Sequence, residues 1–328
     1  MRPEKRVRSS RAAHMSLGTS LLAVPASAVA LTSVAAAAGF PGGAVPATQS
    51  DPIKADVTPK QLEFGHRVRV TGTAPSAAAG RTLVLERAAT PDGSYRTLET
   101  TRIEPSGRFS LIAPLKRSGF LRVVQLPSAG GATAVSRDIA AAPTSAPQRV
   151  AVKAALHVPR RAVDVLGGHA VALQGRLLPT LAGRRIELES RSHHAWHSLT
   201  SARTGSKGGF RLRFVAQGIG QEQLRVTFGG DRANTRIARR AELTVFTESV
   251  ASWYNDGGNT ACGFHAGYGV ANRSLPCGSK VTFHHGGRTV NAVVDDRGPF
   301  VGGREWDLNQ NTASALGFGG VGTVWSSR

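Results

Sequence analysis

Two carboxylates, Asp296 and Asp307, stand eleven residues apart at the two ends of a segment rich in Gly, Pro and Arg. A pair of carboxyl groups held in one cleft performs general acid and base catalysis on glycosidic bonds. The same segment contains Arg297 and Arg304, and a surface Asp–Arg pair contributes little to stability. The pattern therefore predicts either a catalytic cleft or two ordinary ion pairs, and the surrounding elements decide between them.

The residues before the pair predict a strand that delivers Asp296 to a sharp turn. Residues 288–295 alternate between polar and apolar types, as a half-buried strand does. Adjacent side chains of a strand face opposite ways, so Asp295 and Asp296 cannot both point into one cleft. We therefore expect Asp295 to be structural and Asp296 to pair with Asp307.

The residues after the pair predict a short helix and a last strand. Residues 307–317 are typical of a helix that ends at Gly317, with Asn309 or Asn311 as its N-cap. Residues 322–325 predict the strand that follows.

The chain contains two cysteines, Cys262 and Cys277, which are fifteen residues apart. In an exported protein such an even pair predicts one disulfide. The alternative is a two-thiol metal site, for which His265 is the only nearby candidate ligand. We favour the disulfide, and the sequence implies neither a metal nor a cofactor.

The charge of the 328-residue chain is unevenly distributed. It has 41 Lys and Arg against 21 Asp and Glu, and residues 51–250 hold +15 of the net charge of +20. A basic surface of this size attracts anionic wall polymers or membrane surfaces. Nucleic acid would suit the charge equally well, but the signs of export argue against it. The alternative is that this part of the chain is a spacer.

The N-terminus has the features of an export signal. Five basic residues precede an uncharged, Ala-rich run over residues 15–38, which suits cleavage by a signal peptidase. We predict a signal peptide over residues 1–38 and a linker over residues 39–50. No other segment is apolar enough to span a membrane, so we expect a secreted or cell-wall protein with no stable membrane insertion after cleavage.

The middle of the chain contains a repeat with an offset of 103 residues. Residues 65–72 (GHRVRVTG) recur as residues 168–175 (GHAVALQG), and residues 80–86 recur as residues 183–189. Short alternating strands separated by Gly-rich turns are typical of β-sandwiches. The repeats resemble the immunoglobulin-like domains of secreted bacterial surface proteins. We predict sandwiches over residues 51–139 and 149–247, joined by a linker over residues 140–148.

The C-terminal region contains an ordered set of motifs. It runs ASWY at residues 251–254, TACG at residues 260–263, ANRSLPCG at residues 271–278, a strand pair, DRGPF at residues 296–300, and DL at residues 307–308. This set resembles the RlpA-like double-psi β-barrel, which is related to expansins and to family 45 glycosidases. The chain is therefore expected to be all-β, with two immunoglobulin-like β-sandwiches followed by a six-stranded double-psi β-barrel over residues 249–328.

The resemblance implies roles for individual residues. Asp296 matches the aspartate implicated in catalysis in the family, and Asp307 matches the general acid of more distant relatives. Asn272 stands where the family usually has histidine, and an amide cannot transfer protons at neutral pH. Tyr254, Asn272 and Arg297 are the predicted substrate-binding residues.

The resemblance also implies a function. The expected activity is that of an exported lytic transglycosylase, a carbon–oxygen lyase that cleaves peptidoglycan or a related wall polysaccharide and leaves a 1,6-anhydro end. The alternative is a non-catalytic, expansin-like module that binds or loosens the wall. A third interpretation is a barrel that binds proteins and has no glycan role.

Overall fold

The computed structural model describes residues 53–127, 142–255 and 257–328, and it confirms the predicted all-β class. These residues form three hydrophobic cores, one after another along the chain. The predicted signal peptide and the linker over residues 39–50 lie outside the described residues, as does part of the predicted linker over residues 140–148.

The first core lies between two sheets, with strand orders β1-β3-β6 and β2-β8-β7-β4-β5. We call this unit the first sandwich. Its elements are β1 (Lys54–Thr58), β2 (Gln61–Glu63), β3 (Arg67–Thr73), a 3₁₀ turn (Ser76–Ala78), β4 (Thr82–Ala88), β5 (Arg96–Arg102), β6 (Arg108–Pro114), β7 (Gly119–Gln125) and β8 (Gln148–Lys153).

Strand β8 belongs to the first sandwich, although residues 149–153 were expected in the second. It pairs with β7 and β2, and its alternate residues Val150 and Val152 are fully buried in the first core. The alternation of this segment predicts a strand, but it does not predict which core the apolar side chains enter.

The second core also lies between two sheets, and we call this unit the second sandwich. Strands β14, β11 and β9 form one sheet, and β13, β12, β15 and the first half of β16 form the other, with β10 paired to β16. The bounds are β9 (Ala155–His157), β10 (Ala162–Leu166), β11 (Ala170–Leu178), β12 (Arg185–Ser192), β13 (Ala195–Arg203), β14 (Gly209–Val215), β15 (Gly220–Phe228) and β16 (Ile237–Tyr254).

The structure gives the repeat a physical basis. Gly72 of β3 lies opposite Phe109 of β6, and Gly175 of β11 lies opposite Phe210 of β14, 103 and 101 residues further along the chain. In both sandwiches a Cβ at the glycine would collide with the phenylalanine ring and with a backbone carbonyl of the other neighbouring strand, that of Lys54 or His157. An aromatic side chain that covers a strand glycine is a known way to pack such a position.

The third core is enclosed by a ring of six strands. The second half of β16 pairs with β20, and the order continues through β17, β19, β18 and β21, which pairs back to β16. This closed ring confirms the predicted six-stranded barrel. Its remaining elements are β17 (Gly269–Ala271), β18 (Lys280–His285), β19 (Arg288–Asp296), β20 (Trp306–Asn309), α1 (Gln310–Leu316) and β21 (Gly322–Ser326).

Helix α1 has a predicted N-cap and ends at Gly317 as predicted, but it begins at Gln310, because residues 307–309 belong to strand β20. The side chain of Asn309 accepts a hydrogen bond of 2.9 Å from the N–H of Thr312, which makes Asn309 the N-cap. Gly317 closes the helix in the left-handed conformation, with φ of 67°. Because β20 leads directly into α1, these caps also fix the end of the strand that carries Asp307.

Strand β16 joins the second sandwich to the barrel without a break. Its 18 residues pair with β15 and β10 in the sandwich and with β20 and β21 in the barrel. The buried ring of Phe246 lies at the crossing, 5.8 Å from the ring of His284 and 6.1 Å from that of Trp325. A continuous strand with an aromatic contact at its crossing is a stiff connection, unlike a flexible linker.

No helix within the described residues is long and apolar enough to cross a membrane.

The glycine–phenylalanine pair predicts a local loss of stability. Gly175→Ala places a methyl group where the Phe210 ring lies, so we expect β11 and β14 to be destabilised by about 1–3 kcal/mol. Hydrogen exchange of the β11 and β14 amides measures this change. Gly209→Ala is the matched control, because a Cβ there meets nothing within 4 Å. Equal exchange in the two variants would contradict the packing argument.

Candidate active site

Four residues on neighbouring strands form one row across the outer face of the barrel. Ser252 of β16 is opposite Asp307 of β20, Asp307 is opposite Ala271 of β17, and Ala271 is opposite Asp296 of β19. Residues paired in this way project from the same face of a sheet. Strands are spaced about 4.8 Å apart, so the Cα atoms of the two aspartates are roughly 10 Å apart. Ala271, with its small side chain, lies between them.

A bulge in β19 places Asp296 in this row. Val270 of β17 pairs with Val294, but the next residue, Ala271, pairs with Asp296, so Asp295 is an extra residue. Val294 and Asp295 are both fully buried, whereas Asp296 is half-buried. Regular alternation would have directed Asp296 to the same side as Val294, into the core. The bulge turns it outward.

The carboxyl group of Asp295 packs inside the structure. Its Oδ2 accepts a hydrogen bond of 2.8 Å from the N–H of Ala266, and it lies against Gly269, where any Cβ would collide with it. Burial raises the pKa of Asp295, and the neighbouring charge of Asp296 raises it further, against the lowering effect of backbone hydrogen bonds. Its burial and contacts agree with the structural role expected of it.

Asp296 is oriented by the backbone. Its Oδ1 accepts hydrogen bonds of 2.8 Å from the N–H of Ala261 and 2.8 Å from the N–H of Arg297. Backbone donors of this kind hold a carboxylate with little freedom to rotate.

Asp307 has a different environment. Burial raises the pKa of its carboxyl group, and the charge of Asp296 raises it further. Two effects oppose this shift, a hydrogen bond of 2.7 Å from the buried hydroxyl of Ser252 and the positive charge of Arg304. The two aspartates are thus near enough to interact electrostatically, and they differ in their hydrogen-bond donors.

The guanidinium group of Arg297 is directed away from the row. It donates to the carbonyl oxygens of Asn272 and Leu275, at 3.1 and 2.9 Å, and to Sγ of Cys277 at 3.0 Å. A nearby arginine lowers the pKa of a carboxyl group, and Arg304 has this effect on Asp307, whereas the guanidinium of Arg297 bonds elsewhere. Its donors stabilise the loop over residues 272–277.

Asn272 uses its side chain in that same loop. It is only 5% exposed, and its Oδ1 accepts hydrogen bonds from the N–H groups of Ser274 and Leu275, at 3.0 and 2.8 Å. Its Nδ2 donates to the carbonyl oxygen of Glu305 at 3.4 Å. An asparagine that accepts from residues two and three positions ahead is a typical turn former. The structure therefore places Asn272 beside the row, but with its polar atoms engaged by backbone.

The predicted disulfide is confirmed. Cys262 and Cys277 are joined, with their Cα atoms 5.7 Å apart. The bond connects the segment that contains Ala261, a donor to Asp296, with the loop that binds Arg297. Closing a loop of this length stabilises a fold by about 3 kcal/mol in the chain-entropy account. His265, the alternative metal ligand, is exposed, and the described residues contain no cluster of three or more metal-binding side chains.

Aromatic side chains occur on the elements that carry the row. Tyr254 lies two residues beyond Ser252 on β16 and so projects from the same face, whereas Trp253, which is 43% exposed, pairs with Leu308 and projects from the opposite face. Phe300, in the loop that follows Asp296, is 82% exposed. Exposed aromatic rings beside a polar site are common where sugars bind.

The sequence did not identify two contributors to this site. Ser252 lies within the ASWY motif, two residues before Tyr254, and Ala261 lies within the TACG motif, next to Cys262. Ser252 acts through a hydroxyl and Ala261 through a backbone N–H, and a backbone donor leaves no signal in residue type. The match of these motifs to a family was the only signal available.

Comparison with known proteins defines the class of this region. Residues 247–325 match the family model described as "Lytic transglycolase". The C-terminal barrel is therefore an RlpA-like double-psi β-barrel domain. The match covers the row from Ser252 to Asp307 together with both cysteines.

A particular relative supports the same assignment. The chain is 41% identical over 103 residues to a protein of Synechocystis sp. named "Probable endolytic peptidoglycan transglycosylase RlpA". The similarity covers 28% of this chain and 32% of that protein, so the chain spans about a third of the relative's length.

A solved structure matches 28% of this chain and 98% of its own length, at 15% identity and a TM-score of 0.23. It comes from a study of T cell specificity and activation by the bacterial superantigen toxic shock syndrome toxin-1. A TM-score of this size supports no argument about fold or function.

The surroundings of Asp307 predict two opposite pKa changes. Asp296→Asn removes a negative charge that raises the pKa of Asp307, so we expect that pKa to fall. Ser252→Ala removes a hydrogen bond that stabilises the charged form, so we expect it to rise. The carboxyl ¹³C shift of Asp307, followed by NMR through a pH titration, measures both. Shifts of the same sign in the two variants would contradict this description of the site.

Proposed function

We propose that the barrel is a peptidoglycan lytic transglycosylase in which Asp307 is the proton donor and Asp296 the stabilising carboxylate. The observation that supports this proposal is the outer row, in which two aspartates flank Ala271 and differ in environment. Two carboxyl groups with different surroundings can take separate roles at one glycosidic bond.

Proton transfer from Asp307 would begin the reaction. Its carboxylic acid donates a proton to the glycosidic oxygen, and the bond from that oxygen to C1 of the sugar breaks. The C6 hydroxyl of the same sugar then bonds to C1 and gives its proton to the Asp307 carboxylate. The products are a free hydroxyl on one fragment and a 1,6-anhydro end on the other, and Asp307 is protonated again without consuming water.

Asp296 would stabilise the positive charge that develops at C1. Its Oδ1 is held by two backbone N–H groups, so the carboxylate needs little reorganisation as the charge forms. Preorganised charge of this kind is often the largest contribution to an enzyme's rate. Asp296 would also act indirectly, because its charge helps to raise the pKa of Asp307.

The remaining predicted site residues would have different tasks. Tyr254 would contact the glycan, since it lies near the row and its ring can pack against a sugar face. Asn272 and Arg297 would position the loop over residues 272–277 instead of binding sugar directly, because their polar groups already bond within it. They are positioning residues under this proposal.

The two sandwiches would hold the protein on the wall outside the cytoplasm. In the second sandwich, Arg211 and Arg213 of β14 and Arg176 of β11 alternate with apolar core positions and so share the outer face of one sheet. Clustered arginines of this kind attract anionic wall polymers at distances up to about a Debye length, near 8–10 Å at moderate salt.

A non-catalytic wall-binding or wall-loosening module is the second candidate. The observation that favours it is Asn272, which replaces the family histidine and uses its side chain to cap a loop. Under this alternative the row would bind a glycan without cleaving it.

The assay that separates the two candidates uses the full chain and purified peptidoglycan sacculi. We expect soluble fragments with 1,6-anhydro ends, detected by mass spectrometry. Asp307→Asn removes the proton donor and should reduce their release by about 10²–10⁴-fold, the usual contribution of a general acid. Asp296→Asn should also reduce release strongly, because the developing charge loses its partner.

Asp92→Asn is the control, since Asp92 is an exposed carboxylate of the first sandwich. It should leave release unchanged, and all three variants should still bind to sacculi. Binding of the unaltered chain with no soluble anhydro product would instead support the non-catalytic candidate.

A further inference from the structure

A large crevice lies where the second sandwich meets the barrel, apart from the carboxylate row. Its volume is about 1010 Å³. Its sandwich side is formed by Ile219, which immediately precedes β15, and by Gln221 of β15. Its barrel side is formed by Lys280 and Thr282 of β18 and by Asn291 and Val293 of β19. Ligand sites often occur between domains, and this volume is at the upper end of their usual size range, about 300–1000 Å³.

The two walls of the crevice are held at a fixed separation. Strand β16 runs through both units, and Gln221 donates across the junction to the hydroxyl of Thr282 at 3.1 Å. Thr282 in turn donates to Oδ1 of Asn291 at 2.7 Å. A second link lies nearby, where the hydroxyl of Thr289 donates to Asp164 of the sandwich at 3.2 Å. The crevice is therefore preformed, which lowers the cost of binding.

The lining combines three kinds of group. Ile219 is 56% exposed and lies with Val293 as an apolar surface. Gln221 and Asn291 contribute amides, and Lys280 and Arg328 are exposed cations. Among the described residues that line the crevice, none is Asp or Glu. Apolar surface suits the face of a sugar ring, amides suit its hydroxyl and acetamido groups, and a lysine suits a carboxylate.

We propose that this crevice binds a segment of glycan strand composed of acetylated amino sugars that carry carboxylates. This inference rests on the proposed glycan substrate of the barrel. Val293 precedes Asp296 by three residues on β19, so the crevice begins about 10 Å along the strand from the carboxylate row. A strand bound in the crevice would be kept near the row between cleavage events.

The apolar surface distinguishes a glycan from a polyol phosphate. A polyol phosphate chain would use the cations Lys280 and Arg328, and Ile219 and Val293 would then have no partner. A glycan strand uses all three kinds of lining group. Binding of polyglycerol phosphate is therefore a competing outcome of the test.

The test uses the full chain with the Asp307→Asn substitution, so that no probe is cleaved. Three probes are titrated by NMR: a tetrasaccharide of alternating N-acetylglucosamine and N-acetylmuramic acid, a tetramer of N-acetylglucosamine, and polyglycerol phosphate. We expect the acidic tetrasaccharide to shift the amide signals of Gln221, Lys280 and Asn291. Adding Lys280→Gln should weaken its binding at these signals by about tenfold and leave the neutral tetramer unaffected.

Two further variants complete the test. Ile219→Ser, at an exposed position, should weaken both oligosaccharides, because both use the apolar surface. Lys207→Gln removes an exposed charge between β13 and β14 and should change nothing. Oligosaccharide signal changes confined to the carboxylate row would overturn the proposal. Binding of polyglycerol phosphate that is unaffected by Ile219→Ser would also overturn it. The Asp307→Asn chain does not cleave its probe, so this experiment measures binding alone. A failure to bind in the crevice can therefore be told apart from a failure of the proposed catalysis.

Discussion

The buried carboxyl of Asp295 is the constraint on which the candidate site depends. As the extra residue of the β19 bulge, it occupies a fully buried place against Gly269 and accepts from the backbone of Ala266. A Cβ at position 269 would collide with this carboxyl group, so Gly269 and Asp295 constrain each other. The consequence of the bulge is that Asp296 turns outward and shares a row with Asp307.

In that row Asp296 and Asp307, two residues of one type, have different surroundings. Burial and the neighbouring charge of Asp296 raise the pKa of Asp307, while Ser252 and Arg304 act in the opposite direction. Arg297 would add to the opposing effect if it faced the row, but its guanidinium is engaged by the carbonyls of Asn272 and Leu275. The loop that binds the Arg297 guanidinium therefore helps to keep the pKa of Asp307 raised.

Much of this architecture could be predicted from the sequence because it depends on local signals. The caps of α1, the disulfide and the order of motifs around Asp296 all follow from residue types at fixed spacings. Long-range pairing was not predictable in the same way. Residues 149–153 were assigned to the second sandwich because nothing local showed that β8 completes the first core, and nothing local showed that β16 continues from sandwich to barrel. The loop-capping role of Asn272 depends on a turn that residue type alone does not specify.

The most direct measurement is a crystal structure of the Asp307→Asn chain with a peptidoglycan tetrasaccharide. The account predicts that a glycosidic oxygen lies within hydrogen-bonding distance of the side chain at position 307. It also predicts that C1 of the same sugar faces the carboxylate of Asp296, with Ala271 beneath the ring. A glycan that binds elsewhere on the barrel, leaving the row empty, would contradict it.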